Sequence, residues 1–234
     1  MFQTFTYDLP KVLPASARRR WTFLESNSAA AVIQAVCPRE WTDIVRVLSS
    51  YALDPTSLLT PGGNRGIIAE QIDSEFSNMG WCAARLDLET KGILFGQDNK
   101  KIADLPPIYQ KGYVVDNFKN RIVLDVEWNA KDGNLDRDLA AYRSWYDAGI
   151  ISAGVIITKG RIPIRDLTRR LWADYLNTLP VEQRSQKIPV DLSTSTVTSF
   201  DKAEMRVRRG VMGSCPILII GANESTWNAK PYRP

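Results

Sequence analysis

Apolar residues return at helical intervals in the first third of the chain and at strand-like intervals in its middle, the change falling near Trp81. Over Trp41 to Leu53, the residues Trp41, Ile44, Val45, Leu48 and Tyr51 recur every third or fourth position. That spacing predicts an amphipathic helix with one buried stripe, ending at Asp54-Pro55. Thr60-Pro61-Gly62-Gly63-Asn64-Arg65-Gly66 is a turn-forming run, and Ile67, Ile68, Ile72, Phe76 and Met79 behind it predict a second helix. Short apolar runs such as Gly92 to Phe95, set between polar turns, follow.

Tyr113 to Asp116 and Arg121 to Trp128 read as two strands joined by a turn at Asn117-Phe118-Lys119-Asn120. Asn134 suits a helix N-cap, with Asp136 and Asp138 in the first turn, where the positive end of the macrodipole favours acids. Leu139, Tyr142, Trp145 and Tyr146 form the inner face of that helix, and Gly149 suits its C-terminal cap. Ile150 to Thr158 is almost continuously apolar, as expected of a strand covered on both faces. Strand, helix and buried strand make a βαβ unit, so the fold class is α/β, a central mixed sheet flanked by helices. A helix over Ile164 to Leu176, polar loops over Pro180 to Ser199 and a late strand at Pro216 to Ile220 complete the pattern. The segment Asn223 to Pro234 is expected to be loosely held.

Composition narrows the chemistry. At 234 residues with 44% hydrophobic content, one compact domain is expected. Lys and Arg total 30 against 26 Asp and Glu, which permits nucleic-acid binding if the positive charge gathers on one face. There is no histidine, so Ser-His-Asp catalysis and His-ligated metal chemistry are excluded and acid chemistry falls to carboxylates. Cys37, Cys82 and Cys215 are odd in number and widely spaced, the usage of a reducing cytoplasm rather than a disulfide framework. No stretch approaches the roughly 20 apolar residues of a membrane span, and the N-terminus lacks an apolar signal core. A soluble, cytoplasmic protein is expected.

Along the strand from Arg121 to Asn129, side chains alternate between faces, with Ile122, Leu124, Val126 and Trp128 on one side and Asp125, Glu127 and Asn129 on the other. Two carboxylates on one face repel unless a cation or another partner offsets them. Asp116, at the end of the preceding strand, can approach the same place, and three carboxylates on neighbouring strands suit a hard cation such as Mg²⁺. The same alternation also describes a solvated face. Arg206, Arg208 and Arg209, and separately Arg18 to Arg20, are clusters that either track phosphates or simply solvate a surface.

The order Asp116, then Asp125-Val126-Glu127, resembles the PD-(D/E)xK nuclease motif. The wider text is similar to restriction endonucleases of the BglII/BstYI type: Pro61-Gly-Gly-Asn-Arg-Gly66 before a helix ending in Gly80-Trp81, then Asp125-Val-Glu-Trp-Asn-Ala-Lys-Asp132, Asp136-Arg-Asp138 and Gly154-Val-Ile-Ile-Thr158. The similarity runs from about Pro61 to Gly221. Glu127 stands where the motif usually has Lys and the BglII type is expected to have Gln; the related BamHI type is similar in having Glu there.

This resemblance implies a restriction-endonuclease-like core in a single endonuclease domain over residues 1–234, with a helical part over about 1–80 and a catalytic sheet over about 81–221. It implies Mg²⁺-dependent, type II hydrolysis of palindromic double-stranded DNA by a homodimer, at a GATC-centred site leaving 5′ overhangs, alongside a cognate methyltransferase. Asp116, Asp125 and the Val126 carbonyl would be metal ligands, and Glu127 would act on the attacking water and touch metal as well. Glu70 or Asp73 would supply an outer acid. Asn64 and Arg65 near a helix N-terminus, Asn129 and Lys131 after the acidic strand, and Lys159 and Arg161 after the buried strand are the candidate DNA contacts. A structure-specific repair nuclease of the same superfamily and a DNA-binding protein without catalysis are the rival readings.

Overall fold

In the computed structural model, residues 9–61, 66–184, 186–192 and 196–234 are described. Asn64 and Arg65 lie outside them. The chain opens with helices α1 (Leu9–Val12) and α2 (Ala15–Arg20), strand β1 (Trp21–Ser26) and helices α3 (Ala29–Val36), α4 (Pro38–Ser50), α5 (Pro55–Leu59) and α6 (Ile67–Asn78). Five short strands follow: β2 (Cys82–Arg85), β3 (Leu88–Thr90), β4 (Ile93–Phe95), β5 (Lys101–Asp104) and β6 (Ile108–Gln110). The centre of the fold is β7 (Val114–Lys119), β8 (Ile122–Val126), α7 (Asn134–Asp147), β9 (Ala153–Lys159) and α8 (Arg161–Asn177), and the chain ends with α9 (Phe200–Arg209) and β10 (Ile217–Ala222).

Six strands form one sheet in the order β1-β10-β9-β8-β7-β2. β8, β9 and β10 are mutually parallel, and the outer pairings β1 to β10, β7 to β8 and β2 to β7 are antiparallel. Every residue of β8, β9 and β10 is buried, which is why these segments read as apolar runs. One face of the sheet, with Ile122, Leu124, Val155 and Ile157, packs on α3, α4, α6 and α8. The other, with Val123, Ile156 and Ile219, packs on α7 and α9. The α4 stripe of Trp41, Ile44, Val47 and Leu48 is buried, each side chain being worth about 1.5–3 kcal/mol on transfer from water. Helices on both faces of a mixed sheet make this an α/β fold, as expected.

Several boundaries differ from expectation for local physical reasons. α4 stops at Ser50, and Asp54 instead caps α5, its carboxylate accepting from Thr56 N at 2.9 Å. The hairpin turn is at Asn120-Arg121, because Asn117, Phe118 and Lys119 continue β7 and pair with Leu124, Val123 and Ile122. Asn120 takes the left-handed conformation (φ 53°) that Asn tolerates. Asn134 is the first helical residue of α7, with Gly133 at the N-cap and no side-chain cap bond. α9 was hidden because Ala203 and Val207 are its only buried side chains, too few to mark a period. Residues 223–234 are not loose: Leu53 N donates to Thr226 O at 2.9 Å, Asn228 reaches Asp54 at 3.0 Å, and Tyr232 packs against Trp172 and Tyr175. Among the described residues, no helix is long and apolar enough to cross a membrane.

Candidate active site

The ladder between β7 and β8 ends at the pair Asn117 and Leu124. One step further, the Asp116 N–H turns from the opposing backbone and donates to Asp125 Oδ1 at 2.7 Å. Here the strands part, leaving a cleft of about 200 Å³ whose walls include Asp73, Asp116, Val126, Glu127, Asn129 and Arg137. Asp116 is exposed, whereas Asp125 and Glu127 are only 3% and 4% exposed. Their face of β8 is therefore a buried acidic face, not a solvated one.

The cover on that face comes from α7. Tyr142 Oη donates to Asp125 Oδ2 at 2.5 Å and also lies 3.1 Å from the Val155 carbonyl. Asp138, four residues earlier, is buried and faces Glu127. Arg137 holds Asp138 Oδ1 with two guanidinium contacts of 2.9 and 2.7 Å. Glu127 Oε2 and Asp138 Oδ2 are buried and meet no hydrogen-bond partner, so only a proton or a cation can join these two acceptors. Burial, and then the charge of Asp138, pushes Asp125 up to about 8 and Glu127 up to about 9; burial also raises Asp138. Carboxyls set this close together out of water each oppose the ionisation of the others.

Asp138 and Tyr142 were not anticipated as site residues. A signal existed: Leu135, Asp138, Leu139 and Tyr142 fall on one helical stripe, so an acid at position 138 sits among core positions. From the opposite side, α6 contributes Asp73, which accepts from the buried Asn117 Nδ2 at 2.7 Å. Asp73 lines both the acidic cleft and an adjoining hollow shared with Asp116 and Glu70. Of the two outer acids expected from the sequence, Asp73 is buried at the cleft and Glu70 is exposed beside it.

Comparison with known protein families matches residues 21–222 to the family described as restriction endonuclease BglII/BglIII. The chain belongs to this family. It is thus a type II restriction endonuclease, a site-specific enzyme that binds double-stranded DNA and hydrolyses it. A search of curated proteins found no match. Restriction endonucleases of this kind generally use a divalent metal, and the oxygen donors at the cleft, Asp73, Asp116 and Glu127 with its buried, unpartnered Oε2, fit one. Among the described residues, no three Cys, Asp or Glu side chains come together closely enough to hold a metal ion by themselves. That is compatible with a hard cation which rests on one or two carboxylates and completes its shell with water and substrate phosphate.

In this BglII-family fold the expected DNA contacts divide. Asn129 is exposed and forms the wall between the acidic cleft and a second hollow of about 380 Å³. Lys131 is exposed, its backbone bridging to Val197. Lys159, expected at an exposed strand exit, is instead 6% exposed; its Nζ donates to Asn129 Oδ1 and lies 5.7 Å from the Trp128 ring centre. Burial lowers the Lys159 ammonium to about 8. Arg161 begins α8 and lines the second hollow with Lys159. Several of the clustered arginines have structural partners: Arg206 pairs with Asp136 at 2.9 Å, Arg208 with Glu204 at 2.5 Å, and Arg20 clamps the carbonyls of Ser49 and Tyr51 at the end of α4.

Proposed function

We propose that this restriction endonuclease is Mg²⁺-dependent, with Asp116, Asp125 and Glu127 as its acidic centre in a PD-(D/E)xK-type arrangement. The observation that carries the reading is the bond from Asp116 N–H to Asp125, which ties Asp125 to the cleft that Asp116 and Glu127, with its unpartnered Oε2, line. Asp116, Asp125 and the Val126 carbonyl would hold the cation. When bound, Mg²⁺ would supply charge neutralisation at the phosphate and favour the ionised carboxylates. Glu127 would orient a water for attack on phosphorus and accept its proton while the bond from phosphorus to the departing oxygen breaks. Asn129, Lys131, Lys159 and Arg161, at the ends of β8 and β9, would meet DNA, and Asn64 and Arg65 are proposed as further contacts.

A homodimer follows from the task. Two antiparallel strands of a palindrome are addressed symmetrically by one site per subunit about a two-fold axis. A GATC-centred site, 5′ overhangs, a cytoplasmic location, a cognate methyltransferase and one endonuclease domain over the chain belong to the same proposal. The test is incubation of purified protein with long unmethylated DNA in Mg²⁺ or EDTA, followed by sequencing of fragment ends. Discrete ends appearing only with Mg²⁺ are expected and would reveal the site; identical cutting in EDTA, or intact DNA at every methylation state, would overturn the proposal.

A further inference from the structure

We infer that Tyr142 is a positioning residue for the metal-binding carboxylate of Asp125, an inference that rests on the reading of Asp125 as a ligand. Asp125 is pinned at both oxygens, by Asp116 N–H on Oδ1 and by the Tyr142 hydroxyl on Oδ2. Each carboxylate oxygen retains a further lone pair, so the pins fix the orientation of the group while leaving it able to coordinate. A buried carboxylate with only one pin is free to rotate about its last torsion, which is broad for Asp. Restricting it lowers the reorganisation needed when a cation enters.

The fold supplies this contact through a match of repeats. Asp125 in β8 and Glu127 directly after it, at i and i+2 of one extended run, are separated by about 6.6–6.8 Å along the chain. Residues at i and i+4 on a helix are separated by about 6.0 Å. With α7 running back over β8, Tyr142 meets Asp125 and Asp138 meets Glu127, one helical turn serving one strand repeat.

Gly154 on β9 makes room for the ring. A Cβ there would stand 2.3 Å from Tyr142 Cδ2 and 2.9 Å from Cε2, so the aromatic occupies the space where a side chain would otherwise be. The Val155 carbonyl, next in the strand, is the second acceptor near the hydroxyl and keeps it beside the sheet. Tyr142→Phe therefore removes the pin while keeping the ring in its notch.

The experiment compares the full-length wild type, Tyr142→Phe and Asp125→Asn by calorimetric titration with Mn²⁺ as probe. Thermal midpoints, DNA affinity in EDTA by fluorescence anisotropy and cleavage across Mg²⁺ concentrations are measured alongside. Tyr142→Phe is expected to weaken Mn²⁺ binding by about ten- to a hundredfold, the usual range for outer-shell partners of a metal ligand. Its metal-free DNA affinity should stay within about threefold of wild type, and excess Mg²⁺ should restore much of its cleavage rate. If Asp125→Asn loses Mn²⁺ binding but Tyr142→Phe binds like wild type, the Tyr142 inference alone fails. Wild-type Mn²⁺ affinity in Asp125→Asn would instead overturn the ligand assignment, and the inference with it.

Discussion

Glu127, directly after β8, and Asp138 on α7 face each other as buried carboxyls, each with an oxygen that no hydrogen-bond donor reaches. Two buried carboxyls so placed oppose each other's ionisation, which bears on how the fold responds to pH.

Without metal, stability should fall as pH rises. Asp125 and Glu127 bind a proton more readily in the folded chain, at about 8 and about 9, than at their ordinary values of 3.8 and 4.5. Between those limits the folded state carries more protons, so their contribution is complete below the ordinary values and lost as pH passes the raised ones, at up to about 1.4 kcal/mol per pH unit per proton. Thermal melts from pH 5 to 9 in EDTA should show this slope. Mg²⁺ should flatten it, and so should Asp138→Asn, which removes the charge opposing Glu127. Melts in EDTA that are independent of pH would rule the account out.

Replacing Asp125 by Asn should leave a folded protein, since the amide preserves shape, and should slow single-turnover cleavage by about three orders of magnitude, consistent with loss of several kcal/mol of charge stabilisation. The alanine variant should also fail to cut. It should be less stable than the Asn variant, because the Tyr142 hydroxyl and Asp116 N–H both lose an acceptor. Cleavage retained by either variant removes Asp125 from the mechanism.

Glu127→Lys installs the residue usual in the motif but should abolish activity. The ammonium would face Asp138 and Asp125, forming ion pairs where a carboxylate was needed for a cation and a water proton. The variant should melt at or above the wild-type temperature in EDTA while giving no product. Near-normal turnover would show that charge at position 127 is not critical.

Asn117→Ala should destabilise the fold by about 1–3 kcal/mol, because it removes a donor from the buried Asp73. Urea denaturation measures this directly. An unchanged midpoint would mean that the link between α6 and β7 carries no net energy.

Much of the architecture was legible because it is written in local repeats. α4 and α6 follow from their helical stripes, β9 and β10 from continuous apolar runs, and the alternation along β8 put Asp125 and Glu127 on one face. β1 was invisible because its burial does not alternate and its partner β10 is nearly the whole chain away. Lys159 showed the limit at the site itself: a strand-end lysine reads as solvated, but neighbouring Trp128 and Asn129 enclose it.

By itself, the sequence determined the helices α4, α6, α7 and α8, the strands β7 to β10 with their acids, and the exclusion of imidazole chemistry, because periodicity and residue type are properties of the local chain. Only the tertiary structure decided that the acidic face is buried, that Tyr142 and Asp138 cover it and that Asp73 closes it. Asp125 and Tyr142 are 17 positions apart and Asp73 and Asn117 are 44 apart. A pattern along the chain records which way each side chain points, while the partner it meets depends on how distant elements pack.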